Sequence, residues 1–172
     1  EPWSALKRAH IIALHEGILP QDIPTDIAHA LIISIRTEWN GVYKLTKAGL
    51  RAGNSTNNST IQLPKQLLAV SAIAHPARFE ATLANEGIRP IKHCTFADHY
   101  AYTRANCSTL IAECKRANAQ AIITTEKDAV KLLSYIDEFQ SHGIDVLCVS
   151  IRTVIADKRD EFLGMMNALT HP

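Results

Sequence analysis

From Pro64 onward, apolar runs alternate with segments of helical periodicity, and this alternation constrains the fold more than any other feature. The first unit is an apolar run over 67–74, a helix that Pro76 opens and that ends near Glu86, and a strand over 88–94. The pattern continues in a helix over 106–118, a strand over 121–124, a helix from about Glu126, a strand over 146–151 and a closing helix around 162–169. Repeated βαβ units predict an α/β fold, namely a three-layer αβα domain with a mostly parallel sheet.

The first 63 residues predict two further pieces ahead of this domain. The apolar runs 11–14 and 31–35 are typical of buried strands, so residues 1–38 resemble the tail end of another α/β domain, with short helices over 4–9 and 21–28. Residues 53–60 are polar and of low complexity, and the flanking segments 42–45 and 60–63 alternate in polarity. We therefore expect residues 39–63 to form a β-hairpin linker with a polar loop, and residues 64–172 to form the C-terminal α/β domain.

Composition excludes several classes of protein. The chain has 172 residues, 47% of them hydrophobic and 20% charged, which suits a folded domain with a core. No apolar run reaches the roughly 18 residues of a membrane-spanning helix, so we expect no transmembrane segment. A net charge of +1 provides no global field for nucleic acid, and we expect no nucleic-acid partner. The four cysteines lack CxxC spacing and are expected to be reduced, as in a cytoplasmic protein.

Three loops are expected to meet at one edge of the sheet, because parallel strands place their carboxyl ends together. These loops are residues 74–79, 96–100 and 124–128. They carry three groups that can bear positive charge and three carboxylates, which are Arg78, His99, Lys127, Asp98, Glu126 and Asp128. Such a mixture suits phosphate handling.

Two of these loops also have a purely structural interpretation, which stays open at this point. Pro76 is a common first residue of a helix, and Arg78 is a residue type that is commonly exposed. Thr125 followed three residues later by Asp128 resembles a capping box, with carboxylates near the positive end of a helix.

Asp98 and His99 are a neighbouring acid and base, which makes them candidates for proton handling or metal ligation. His93 and Cys94 would complete a set of metal donors, but as neighbours in a strand they point to opposite faces, so we assign no metal site. The chain contains no GxGxxG, GxxxxGK[ST] or serine nucleophile motif, so it has no usual cradle for a triphosphate. A non-catalytic α/β binding domain and a metal-dependent phosphoesterase that uses Asp98 and His99 remain alternatives.

Several ordered motifs together resemble the C-terminal portion of tetraacyldisaccharide 4'-kinase, the lipid A 4'-kinase of Gram-negative bacteria. They are Glu1-Pro2, Ser4-Ala5-Leu6-Lys7-Arg8-Ala9, Ala72-Ile73-Ala74-His75-Pro76-Ala77-Arg78-Phe79, Phe96-x-Asp98-His99-Tyr100 and Thr125-Glu126-Lys127-Asp128-Ala129-Val130-Lys131. The chain departs from the family at Ala72-Ile73-Ala74-His75-Pro76, where most relatives have glycines and Asn-Pro.

The resemblance implies ATP-dependent transfer of a phosphoryl group to the 4'-hydroxyl of a tetraacyldisaccharide 1-phosphate, with magnesium, at the cytoplasmic face of the inner membrane. It implies two α/β domains joined by a two-stranded linker, with the P-loop in the N-terminal domain. Residues 1–38 would then be the remnant of that P-loop domain. The chain begins with Glu1 rather than Met, so we expect the P-loop domain upstream, as the partner of this chain. The chain alone is expected to be inactive and to bind neither ATP nor Mg²⁺ tightly.

The resemblance also implies roles for single residues. His99 would pair with an aspartate base of the opposite domain, and Asp98 would hold His99 or its loop. Glu1 matches a position that faces the nucleotide. The resemblance leaves the roles of the remaining edge residues open, with contacts to substrate or to the domain interface expected for Arg78, Glu126, Lys127 and Asp128.

Overall fold

The computed structural model describes residues 3–15, 18, 29–50 and 63–170. The chain divides into two compact units, one of residues 39–150 and a smaller one of residues 1–38 and 151–172. The strands of the chain are β1 (Ile11–His15), β2 (Leu31–Thr46), β3 (Gly49–Leu50), β4 (Leu67–Ser71), β5 (Lys92–Thr95), β6 (Ala121–Thr125) and β7 (Asp145–Ile155). The α-helices are α1 (Pro76–Asn85), α2 (Arg104–Arg116), α3 (Glu126–Leu132), α4 (Ile136–Ser141) and α5 (Arg159–Thr170).

The larger unit contains the predicted parallel sheet, in the order β7-β6-β4-β5. All three adjacent strand pairs run parallel, as the registers Val70↔Cys94, Val70↔Thr124 and Thr124↔Cys148 illustrate. The mostly parallel α/β architecture expected from the sequence is therefore confirmed.

Helices cover both faces of this sheet. Side chains alternate along β4, so Leu68 and Val70 join one core cluster while Leu67 and Ala69 join another. The first cluster contains buried residues of α2, α3 and α4, including Phe139. The second contains those of α1, which are Phe79 and Leu83. The result is the predicted three-layer arrangement.

Two predicted elements end at different residues in the structure. The strand predicted over 88–94 is β5, which begins only at Lys92, because Pro90 has no N–H to donate to a ladder. Ile88 is nevertheless buried in the core. Gly87 follows α1 with φ +74, the left-handed conformation that ends many helices and that glycine adopts without strain.

The predicted hairpin linker is present only in part within the described residues. Segment 42–45 belongs to β2, which pairs antiparallel with β3 through Leu45↔Leu50 and Thr46↔Gly49. Of its predicted partner, residues 60–62 lie outside the described residues, and Leu63 is not in a strand. The polar loop 53–60 also lies outside them.

The smaller unit contains the two strands expected near the start of the chain. β1 pairs parallel with β2 from Ile11↔Leu31 to His15↔Ile35. The predicted helix over 4–9 is a 3-10 helix, Trp3–Arg8, and the one predicted over 21–28 lies outside the described residues. α5 belongs to this unit as well. Among the helices of the described residues, none combines the length and apolar character needed to cross a membrane.

Candidate functional site

The three loops expected at one edge of the sheet do meet in the larger unit. In space β4 lies between β5 and β6, so the loop after β4 is flanked by the other two. The N–H of Phe96, after β5, donates to the carbonyl of Ser71 at 2.8 Å. The N–H of Ala72, after β4, donates to the carboxylate of Asp128 at 2.9 Å. Parallel strand order thus brings together segments that are up to 56 residues apart in sequence.

The helices that follow β4 and β6 pack on opposite faces of the sheet, α1 on one and α3 on the other. The chain therefore leaves these two neighbouring strands in opposite directions. In open α/β sheets this topology opens a crevice at the carboxyl ends of the two strands, which is where ligands bind.

Asp98 and His99 lie on the exposed surface at this edge. His99 has φ +61, a left-handed conformation that is uncommon for a residue with a side chain. Its N–H donates to Oδ1 of Asp98 at 3.0 Å, and its Nε2 lies 3.6 Å from Oδ2 of the same carboxylate. The imidazole is 76% exposed, so most of its surface is accessible from solvent. Strained backbone of this kind occurs preferentially at functional sites.

Lys127, in the first turn of α3 directly after β6, is bonded to the loop after β5. Its ammonium donates to Oδ1 of Asp98 at 3.2 Å. This hydrogen bond is the largest cause that holds the pKa of Asp98 below its usual range, and the charge of His99 adds to it. Asp98 is therefore an ionised group that is held by a cation, rather than a general acid.

An aromatic cluster supports the same loop. The ring of Phe96 lies 5.0 Å from that of Tyr100 and 5.1 Å from that of Tyr102, between centroids. Tyr135 donates its hydroxyl to the carbonyl of Tyr102 at 3.0 Å. Because Phe96 and Tyr100 bracket the Asp-His pair in sequence, this packing holds both ends of the segment that carries it.

Of the capping box expected at Thr125 and Asp128, the N-cap half is present at the start of α3, whereas the Asp128 side chain bonds other groups. The hydroxyl of Thr125 accepts a hydrogen bond from the N–H of Asp128 at 3.2 Å, so Thr125 is the N-cap of α3. Asp128 is fully buried, whereas Glu126, Lys127 and Arg78 are exposed. Glu1 lies outside the described residues.

His93 and Cys94 point to opposite faces of the sheet, as expected. His93 packs edge-on against Phe79 of α1, whereas Cys94 packs against the cluster on the other face. Among the described residues, no three His, Cys, Asp or Glu side chains are grouped so as to hold a metal ion.

Sequence reasoning missed a polar triad on the α1 face that runs from a buried serine to an exposed glutamate. His93 lies 2.8 Å from the hydroxyl of Ser71 through Nε2 and 2.7 Å from the carboxylate of Glu80 through Nδ1. Ser71 is fully buried, so this arrangement ties β4, β5 and α1 together and does not present a nucleophile. No local sequence pattern predicts these contacts, because they depend on the strand register that aligns His93 with Ala69.

All four cysteines are free thiols. Burial raises the pKa of Cys107 to about 11 and those of Cys114 and Cys148 to about 12. Such thiols stay protonated and unreactive.

A family model and the curated relatives that match this chain carry the same description. The family model of LpxK, described as tetraacyldisaccharide-1-P 4'-kinase, matches residues 1–169. The chain is 36% identical over 101 residues to a tetraacyldisaccharide 4'-kinase of Desulfotalea psychrophila. This alignment covers 59% of this chain and 28% of that protein. The chain is 28% identical over 138 residues to a protein of the same name from Koribacter versatilis, which covers 77% of this chain and 35% of that protein. The chain thus spans about a third of the length of these relatives.

A solved structure shares the fold. The crystal structure of LpxK from Aquifex aeolicus, described as an "apo" form in complex with ATP, matches with a TM-score of 0.53 and 15% sequence identity. The match covers 98% of this chain and 45% of that chain. At this level of identity the likeness concerns the fold alone.

Proposed function

We infer the function of this chain from its family: it belongs to the tetraacyldisaccharide-1-P 4'-kinase family. The proposal is that it is the C-terminal part of an ATP-dependent kinase that phosphorylates the 4'-hydroxyl of a tetraacyldisaccharide 1-phosphate, the lipid A precursor. The observation that carries the proposal is the family match over residues 1–169, within which the Asp98-His99 pair lies exposed at the carboxyl edge of the sheet.

In this proposal His99 acts on a carboxylate base outside the chain. A sugar hydroxyl is a poor nucleophile, and a positioned base that accepts its proton contributes about 10²-fold to 10⁴-fold in rate. The exposed imidazole of His99 would hydrogen-bond that base and orient it toward the hydroxyl. Asp98, held by Lys127, would fix the loop and the position of His99.

ATP and Mg²⁺ belong to the proposed enzyme but not to the described part of this chain. The sequence contains no GxxxxGK[ST] motif, and the described residues contain no group of three metal donors. We therefore assign the nucleotide and the metal to an N-terminal P-loop domain. Glu1, at a position that faces the nucleotide in the family, would be the contribution of this chain.

The proposed domain organisation is a P-loop remnant over 1–38, a linker over 39–63 and a C-terminal α/β domain over 64–172. The first boundary is supported by the division of the chain into compact units between Glu38 and Trp39. The proposal includes residues 151–172 in the C-terminal domain, whereas the structure groups them with residues 1–38 in the smaller unit.

The exposed side chains at the site edge would contact the substrate or the opposite domain. Arg78 and Lys127 offer positive charge to a phosphate, and Glu126 offers a carboxylate to a hydroxyl or a cation. The acylated substrate places the reaction at a membrane surface, so we propose a peripheral location at the cytoplasmic face of the inner membrane. No nucleic-acid partner is proposed.

The proposal is tested on the full-length protein that carries this chain. Purified protein is incubated with ATP, Mg²⁺ and tetraacyldisaccharide 1-phosphate in detergent micelles, and the product is analysed by mass spectrometry. We expect a 4'-phosphorylated product, and we expect His99→Ala to reduce kcat by about 10²-fold.

The matched control is His142→Ala, which removes another exposed imidazole, located just before β7 and so at the amino edge of the sheet. This variant should keep the activity of the wild type. A wild-type protein that forms no product would refute the proposed function, and a fully active His99→Ala variant would refute the role of His99.

A further inference from the structure

Among the predicted site residues that the structure describes, Asp128 is the one whose side chain is buried away from any substrate. Its carboxylate is fully buried, and both oxygens are engaged. Oδ2 accepts hydrogen bonds from the N–H of Ala72 and the hydroxyl of Thr125, both at 2.9 Å, and Oδ1 accepts one from the ammonium of Lys131 at 3.1 Å. A buried carboxylate is costly unless it is paired in this way.

The partners of Asp128 lie in the loop after β4 and in or next to its own helix, α3. Ala72 begins the loop after β4, and Thr125 ends β6. Lys127, one residue before Asp128, is bonded to Asp98 in the loop after β5. The carboxylate therefore bonds the loop after β4 to the N-terminus of α3, at the crevice between β4 and β6, and its neighbour Lys127 connects this point to the loop after β5.

A second connection runs through Lys131 and Tyr102. The ammonium of Lys131 lies 5.9 Å from the centre of the Tyr102 ring, and that ring packs against Phe96 and Tyr100 on either side of the Asp-His pair. The Tyr102 hydroxyl is buried without a hydrogen bond of good geometry among the described residues. Burial raises the pKa of Tyr102, and the negative charge of the nearby Asp128 carboxylate is the second cause.

We propose that Asp128 is a positioning residue for phosphoryl transfer, which fixes the loop of Asp98 and His99 through Lys127 on one side and through Lys131 and the aromatic cluster on the other. This rests on the proposed function. Asp128 touches neither substrate nor cofactor in this role, and it acts on the reaction only through the placement of His99. Misplacement of a reacting or orienting group by about 1 Å is enough to lower a rate by about 10²-fold.

The test compares Asp128→Asn, which keeps the shape but removes the charge, with wild type in two measurements. In the 172-residue chain, the ring resonances of His99 are followed by NMR, and we expect them to shift and to broaden. In the full-length protein, we expect kcat to fall by about 10²-fold while KM for the disaccharide changes less than about twofold.

The control is Ser71→Ala, which removes a buried hydrogen bond on the opposite face of the sheet. It should lower the melting temperature without moving the His99 resonances or kcat. If Asp128→Asn does not fold, Thr125→Val takes its place. It removes the hydroxyl that donates to the same carboxylate and also caps α3, and Thr125→Ser, which keeps both hydrogen bonds, should restore the wild-type values.

The outcomes separate this inference from the proposed function. A folded Asp128→Asn variant, or its Thr125→Val substitute, with unchanged His99 resonances would overturn the positioning role. A wild-type protein without kinase activity would overturn the proposed function, while the NMR comparison would still decide whether Asp128 fixes the loop.

Discussion

Asp98 is held from two directions by groups that favour its ionised form. Lys127 donates to it from α3, and the N–H of His99 donates to it from within its own loop. His99 itself has a left-handed backbone that these contacts help to maintain. At the scale of single residues, the site is thus an exposed imidazole on a loop that is fixed by an ion pair.

Replacement of Lys127 by Met should raise the pKa of Asp98 toward its usual range, because the hydrogen bond from Lys127 is the largest cause of its lowering. A carboxyl group whose pKa is lowered by folding stabilises the protein above its unfolded pKa, and this stability is lost as pH falls through the folded pKa. The variant should therefore be less stable than wild type near neutral pH, with a difference that disappears in strong acid.

The measurement for this change is an NMR titration of the Asp98 carboxyl carbon, together with urea denaturation near neutral pH and in strong acid. Lys127→Arg, which keeps the positive charge, is the control and should retain most of the lowering. An Asp98 midpoint that is the same in Lys127→Met and wild type would contradict the assignment.

At the scale of elements, the two helices after β5 and β6 begin with well-formed caps. Thr103 and Asn106 form a reciprocal capping box at the start of α2, and Thr125 caps α3. These caps fix where the loops end and the helices begin. The buried side of α2 then anchors the element through Leu110, Ile111 and its two cysteines.

Thr103→Ala should lower the free energy of unfolding by about 1 kcal/mol, because it removes the side-chain oxygen that accepts from the N–H of Asn106. Urea denaturation of the chain measures this loss. Thr109→Ala is the control, since Thr109 is exposed in the interior of the same helix, and its effect should stay within about 0.5 kcal/mol. Equal losses in both variants would show that the cap contributes nothing.

At the scale of the whole molecule, the chain spans about a third of its curated relatives, with 28% and 35% of their lengths covered. Its 172 residues contain no phosphate-binding GxxxxGK[ST] motif. The exposed His99 is proposed to need a carboxylate from another domain. Under this proposal, the other half of the site is contributed by that domain.

The isolated chain is expected to fold but to transfer no phosphate from ATP to the disaccharide. Folding is measured by circular dichroism and a cooperative urea transition, and transfer by the mass-spectrometric assay with the full-length protein as positive control. Kinase activity of the isolated chain above background would contradict this expectation.

The sequence by itself determined the features that depend on local periodicity and local caps. Alternating apolar runs predicted β4, β6 and β7 and the mostly parallel sheet, because burial between two layers of helices demands continuous apolar strands. Pro76 and Thr125 marked the starts of α1 and α3, since a fixed φ and a side-chain acceptor are local requirements.

Only the tertiary structure decided which groups touch. Chain order does not reveal that β4 lies between β5 and β6. The sequence therefore predicted that Lys127 and Asp98, 29 residues apart, lie at the same edge of the sheet, but not that they form a hydrogen bond. The burial of Asp128 and the contact of His93 with Ser71, 22 residues away, were not predicted at all. Strand order and register are set by long-range packing, which a local pattern of residues does not encode.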